Sequence, residues 1–171
     1  RRIAGLTRPV TRRGYEALGA GPLPDREAVL GAVERLHALL AAEMHPEICC
    51  GPAERERWIA GELDALEPLI ASQVRLAFDF GDRLEARERS PAEREEASHA
   101  VAAVLFDSLP ELRERLFEDA WAAYRGDPSC RDPVEAIFAF PGIFAITRHR
   151  IAHVLQRAQV PLLPRLVAEH S

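Results

Sequence analysis

SPAEREEASHAVAAVLFDSLPELRERLFEDAWAAYRGDP, residues 90–128, reads as two helices set one after the other. Ser90 is a cap residue, and Pro91 suits the first helical position because the N–H it lacks would have no helical partner there. Glu93 can reach back to the cap, which completes a capping box. The helix that follows should bury Ala97, Val101, Val104 and Leu105, which recur at three- and four-residue steps. Ser108-Leu109-Pro110-Glu111 repeats the box and opens a second helix, with Leu112, Leu116, Ala120 and Tyr124 inward and Trp121 alongside. Gly126 then offers a left-handed C-terminal stop, and Pro128 prevents continuation.

The same punctuation extends in both directions. Downstream, Asp132-Pro133-Val134-Glu135 is a third box, opening a short helix through Phe138. Pro141 restarts the helix, and Ile143, Ile146, Arg150, Ile151 and Val154 trace a stripe to about Ala158, before Pro161 and Pro164 punctuate a last apolar segment. Upstream, Asp25 is a cap for a helix carrying Val29, Leu30, Val33, Leu36, Leu40 and Met44, which His45-Pro46 ends. After the loop HPEICCGP (45–52), a second pattern begins near Ala53 with Trp58, Ile59, Leu63 and Leu66. Pro68 predicts a break or kink before Leu69, Ile70, Val74 and Leu76. The charged stretch FDFGDRLEARERS (78–90), with Gly81 inside it, predicts that this helix fades there. Residues 1–24 hold five arginines and no sustained periodicity, and read as an arm. Alternating strand patterns are absent. The expectation is an all-α chain, a multi-helix bundle of six to eight helices, with the arm at 1–24, the bundle at 25–125 and a further helical segment at 126–171.

Composition narrows the function classes. At 171 residues the chain is about one domain, and 47% hydrophobic with 29% charged residues excludes wholesale disorder. A net charge of −5 argues against a non-specific nucleic-acid binder. Every basic residue other than histidine is arginine, so neither a phosphate-loop lysine nor a Schiff-base lysine is present. The adjacent Cys49 and Cys50 with a distant Cys130 do not make a disulfide framework, which points to a reducing cytoplasm. No apolar run reaches the roughly 20 residues of a membrane span. The chain starts at Arg1 and its one methionine is Met44, so the natural start is expected to lie upstream.

Residue chemistry alone gives no active site. His149 and His153 stand one helical turn apart, a spacing that can grip a metal, yet Arg150 occupies the place where the zinc-protease pattern needs its glutamate. The favoured reading is two surface histidines with no metal. His45, Cys49, Cys50 and Cys130 lack the paired spacing of a zinc ribbon, and no nucleophile elbow or dinucleotide fingerprint occurs.

Three stretches carry a resemblance: AAYRGDPS (122–129), FPGIFAITRHRIAHVL (140–155) and VPLLPRLVAEHS (160–171). They resemble the N-terminal helical part of bacterial serine O-acetyltransferases of the longer N-terminal branch, with His149 where that family has the tyrosine of YRIAH. The resemblance implies transfer of acetyl from acetyl-CoA to the hydroxyl of L-serine, giving O-acetylserine for cysteine biosynthesis. In that family a left-handed β-helix of hexapeptide repeats follows, supplying the imidazole base and the cofactor-binding coils. The present sequence lacks that β-helix, so the resemblance implies no catalytic residue and no cofactor-binding or metal-binding site within it, and no turnover by it alone. The helical part contributes one serine-contacting aspartate. Counted without gaps from Gly142 and His153, that residue is Asp127; Asp132, in the RDP tripeptide 131–133, is the second candidate and a better helix cap. The resemblance further implies a cytoplasmic homo-oligomer, able to dock O-acetylserine sulfhydrylase through a C-terminus outside this sequence. The competing reading is a free-standing helical module for oligomerisation or partner binding. For self-association, the expectation is that some of Phe144, Leu162, Leu163 and Leu166 are exposed.

Overall fold

The computed structural model describes residues 21–45 and 51–170, and everything below concerns those residues. The sequence-predicted arm therefore lies almost wholly outside them, as do Pro46, Cys49 and Cys50. Seven helices and no strand are present among the described residues: α1 (Arg26–Leu40), α2 (Pro52–Glu85), α3 (Pro91–Asp107), α4 (Leu109–Gly126), α5 (Pro133–Ala139), α6 (Pro141–Arg157) and α7 (Leu163–Ala168). A single 3-10 turn, Ala42–Met44, follows α1 and takes up the end of the helix predicted to run to Met44. The all-α expectation is met.

Periodicity places the core. Leu36 and Leu40 of α1, Leu66 and Val74 of α2, Leu105 of α3, Leu116 of α4, Ile151 of α6 and Val167 of α7 are essentially sealed from solvent in one cluster. Each such side chain contributes about 1.5–3 kcal/mol of transfer free energy. The long α2–α3 hairpin and the α6–α7 pair make the two most extensive helix contacts, and α1 touches α2, α4, α6 and α7.

Two expected interruptions of α2 do not occur. The helix runs unbroken for 34 residues through Pro68. Proline there removes one N–H and crowds the carbonyl of Asp64, at about 3 kcal/mol. Burial of Leu66, Ile70, Ala71 and Val74 on either side outweighs that penalty, and Pro68 itself sits at the surface. Nor does the helix fade at Gly81, because the charges around it are paired. Asp82, only 4% exposed, receives Arg89 at 3.2 Å and Arg94 at 3.4 Å, and Arg89 also lies over the Phe78 ring at 4.7 Å. The helix closes at Ala86, in the left-handed conformation with φ 51°.

The Ser90 capping box forms as read: Ser90 Oγ accepts from Glu93 N at 3.2 Å, and Glu93 accepts from Ser90 N at 2.7 Å. The second box does not form. Ser108 has helical dihedrals, and its hydroxyl donates to the Leu105 carbonyl at 2.6 Å, so it finishes α3 rather than capping α4. Within α3, Val104 faces solvent while Ser98 and Ala102 are buried. In α4, Leu112, Leu116 and Ala120 are inward as read, but Tyr124 and Trp121 are exposed and lie tilted against each other, 5.5 Å between ring centres and 40° between planes. Gly126 is the last helical residue of α4 and not a left-handed stop. On α6, Ile146 is exposed, and Arg150 leaves the apolar stripe to pair with Asp119 of α4. Leu163 is buried and Phe144 half-buried, which leaves Leu162 as the most exposed of the four residues read as an apolar patch.

Candidate functional site

The turn between α4 and α5, Asp127 to Asp132, carries both candidate aspartates. α4 stops because Pro128 drives the residue before it out of the helical region, and Asp127 is extended (φ −116°, ψ 107°). Its side chain folds back on the turn: Oδ1 accepts from Ser129 N at 2.9 Å and from Ser129 Oγ at 2.7 Å. Its carbonyl accepts from Cys130 N at 3.0 Å. Cys130 is the buried anchor of the turn, and its thiol donates to the Asp132 carbonyl at 3.4 Å. Asp132, extended in turn, caps α5 by accepting from Val134 N at 2.8 Å. Here the third capping box is half formed, because Glu135 accepts from Arg131 N and not from the cap residue.

Charge follows from these bonds. The Ser129 hydroxyl, and with it the Ser129 amide, holds the Asp127 carboxyl below the usual carboxylate range. Asp127 is therefore an anion near neutral pH, at the surface, with Oδ2 making no hydrogen bond among the described residues. Such an oxygen can receive an ammonium or a hydroxyl. Asp132 has one oxygen engaged by its helix and leaves Oδ2 in the same position. Both predicted residues are thus brought onto one turn, and they differ in commitment: Asp132 starts a helix, whereas Asp127 is held by a side chain.

Sequence reading passed over Ser129 because a serine beside proline in a turn carries no distinctive pattern. It also passed over the link behind the turn. Arg150 of α6 engages Asp119 of α4 through both terminal nitrogens, one of them at 3.1 Å, which ties the histidine-bearing helix to the helix that ends at Asp127.

His149 and His153 are both exposed on α6. They form the ridge between two surface grooves of about 410 and 390 Å3, one against α7 and one against the start of α4. Among the described residues no three His, Cys, Asp or Glu side chains converge in a way that could hold a metal ion. The His45 ring lies tilted against Trp58, 4.4 Å between ring centres. No helix among the described residues is long and apolar enough to cross a membrane.

No protein-family model matches the chain. A protein of Synechococcus elongatus named "Serine acetyltransferase, plasmid" is 31% identical over 151 residues, which is 88% of this chain and 47% of that protein. A second protein of that organism, named serine acetyltransferase, is 35% identical over 48 residues, 28% of this chain and 20% of its own length. Wherever it falls, a 151-residue stretch of a 171-residue chain includes residues 21–151, and so the turn with Asp127 and Asp132. The resemblance seen in the three sequence stretches is thereby borne out. This chain is a homologue of proteins named serine acetyltransferase, and spans about half the length of the first of these two relatives.

Proposed function

We propose that the chain is the helical domain of a serine O-acetyltransferase. The observation that carries this reading is the 31% identity to a protein of that name along nearly the whole chain. In the reaction the L-serine hydroxyl oxygen bonds to the acetyl carbonyl carbon and the thioester C–S bond breaks, giving O-acetylserine and coenzyme A. The serine proton must pass to a base within hydrogen-bond reach. On this reading the base and the cofactor-binding coils lie in the part of the relatives' length that this chain does not span. Asp127 orients the amino acid, its charge complementing the substrate ammonium, and the helical domain adds assembly contacts. The setting is cytoplasmic, in a cysteine-producing route, with O-acetylserine sulfhydrylase as a docking partner.

Assembly has support in the exposed row Phe117, Trp121 and Tyr124 on α4, spaced at four and three residues. Aromatic residues beside arginine are what interface centres favour, and Arg113 lies over Phe117 at 4.8 Å. This row also favours the second reading, a helical module that works by association alone.

The test is release of coenzyme A from acetyl-CoA. A protein comprising this chain and the remainder of the relatives' length should release it only when L-serine is present, and residues 1–171 alone should not. Serine-independent release, or none by the longer protein, would refute the enzyme reading.

A further inference from the structure

We propose that Ser129 is the positioning residue of the candidate site: its hydroxyl and amide fix Asp127 Oδ1 so that Oδ2 is the oxygen presented to the substrate. The inference rests on the reading that Asp127 contacts the amino-acid substrate.

An aspartate at the end of a helix would ordinarily turn its carboxylate freely about two side-chain bonds. Here both donors of Ser129 converge on the same oxygen, at 2.9 and 2.7 Å, and leave the other without a hydrogen bond among the described residues. Two donors on one oxygen stop the carboxylate from exchanging its oxygens by rotation, because rotation would break both bonds together. The turn that carries Ser129 is itself held from beneath, since Cys130 is 6% exposed, donates its amide to the Asp127 carbonyl and donates its thiol to the Asp132 carbonyl. The hydroxyl is thus placed by the backbone, and the carboxylate by the hydroxyl.

Among the described residues no other group does this work. The charged residues around the turn are Arg125 at the end of α4, Arg131 and Asp132 within the turn, and Glu135 on α5. None forms an ion pair with Asp127; Asp132 caps α5, and Glu135 accepts from the Arg131 amide. The same two hydrogen bonds favour the ionised form, so the carboxylate keeps its charge to lower pH than a free aspartate.

Two measurements test the proposal. The first is the carbon NMR titration of the Asp127 carboxyl in residues 1–171, comparing the parent chain with Ser129→Ala and Ser129→Thr. Ser129→Ala should raise the midpoint and Ser129→Thr should restore it, with circular dichroism the same in all three. A midpoint unmoved by Ser129→Ala would overturn the positioning role. The second is steady-state kinetics in the longer protein. Ser129→Ala should raise KM for serine by about three- to tenfold with kcat changed far less, should move the acid limb of kcat/KM to higher pH, and should leave KM for acetyl-CoA alone. Rescue by Ser129→Thr is expected. If Asp127→Asn cripples the enzyme while Ser129→Ala behaves as the parent, the positioning inference fails and the site reading stands. If Asp127→Asn is itself normal, the site reading fails, and the titration alone then decides whether Ser129 orients the carboxylate.

Discussion

Gly81 of α2 lies directly against Pro161: a Cβ at position 81 would stand 2.6 Å from the proline Cγ. The glycine is inside a helix, where alanine is ordinarily better by about 0.5–1 kcal/mol. Contact decides the sign here, because the proline can withdraw Cγ only by changing its ring pucker, and its Cβ, 3.3 Å away, is tied to the backbone. Gly81→Ala should destabilise the fold by about 1–3 kcal/mol, read as a lowered denaturant midpoint. Gly61→Ala, in the same helix with nothing within 4 Å of its Cβ, should stabilise it instead.

The two described histidines with clear shifts work against each other in pH dependence. His37 is buried against Phe144, ring centres 4.5 Å apart, with its Nε2 unpartnered; burial, the largest influence, pushes its pKa below 6.5. Its unfolded form binds more protons, so its contribution falls as pH drops below about 6.5 toward the folded value. His99 is exposed, and its hydrogen bond to Glu67 (2.5 Å) raises its pKa above 6.5. Its contribution is complete below pH 6.5 and is lost as pH rises through the folded value. His37→Leu should therefore flatten the loss of thermal stability between pH 7 and 5, and His99→Gln should steepen it. Thermal melts across that range check both, and equal slopes in all three proteins would contradict the assignment.

The Asp119–Arg150 pair should couple α4 to α6. Both side chains are about three-quarters shielded, and the contact is two-pronged. A double-mutant cycle with Asp119→Asn and Arg150→Gln should return a coupling of about 1 kcal/mol, at the top of the range for exposed pairs. A coupling of zero would make the contact incidental.

Association should depend on the α4 aromatics. Trp121 is 51% exposed although it belongs to the largest apolar residue type. Trp121→Ser together with Phe117→Ser should lower the sedimentation-averaged mass at high concentration and leave the melting temperature within a few degrees. Unchanged association would remove the row from the interface.

What could be read from sequence divides along physical lines. Caps are local, so Asp25, Ser90 with Glu93, and Asp132 announced three helix starts correctly. Features decided by tertiary contact were not legible. Pro68 is tolerated because its flanks are buried, Gly81 is there because Pro161 comes close, and the charged run after Phe78 closes on Asp82. Ser108 has the cap pattern but helical dihedrals, because α3 passes almost directly into α4. Hydrophobic spacing also cannot separate a core face from an exposed aromatic row, which is why the spacing reads Tyr124 as inward although it lies with Trp121 on the exposed side. At the candidate site, the family resemblance with an ungapped count from Gly142 points to Asp127, whereas the Ser129 contact depends on how the turn folds back on itself.

The most direct measurement of the central claim is kcat/KM for L-serine in the longer protein, compared between Asp127→Asn and Asp132→Asn. Asparagine preserves shape and caps a helix about as well as aspartate, so both variants should fold normally. The account predicts a loss of about tenfold or more for Asp127→Asn, little change for Asp132→Asn, and acetyl-CoA affinity unaltered in both. A crippled Asp132→Asn beside a normal Asp127→Asn would contradict it.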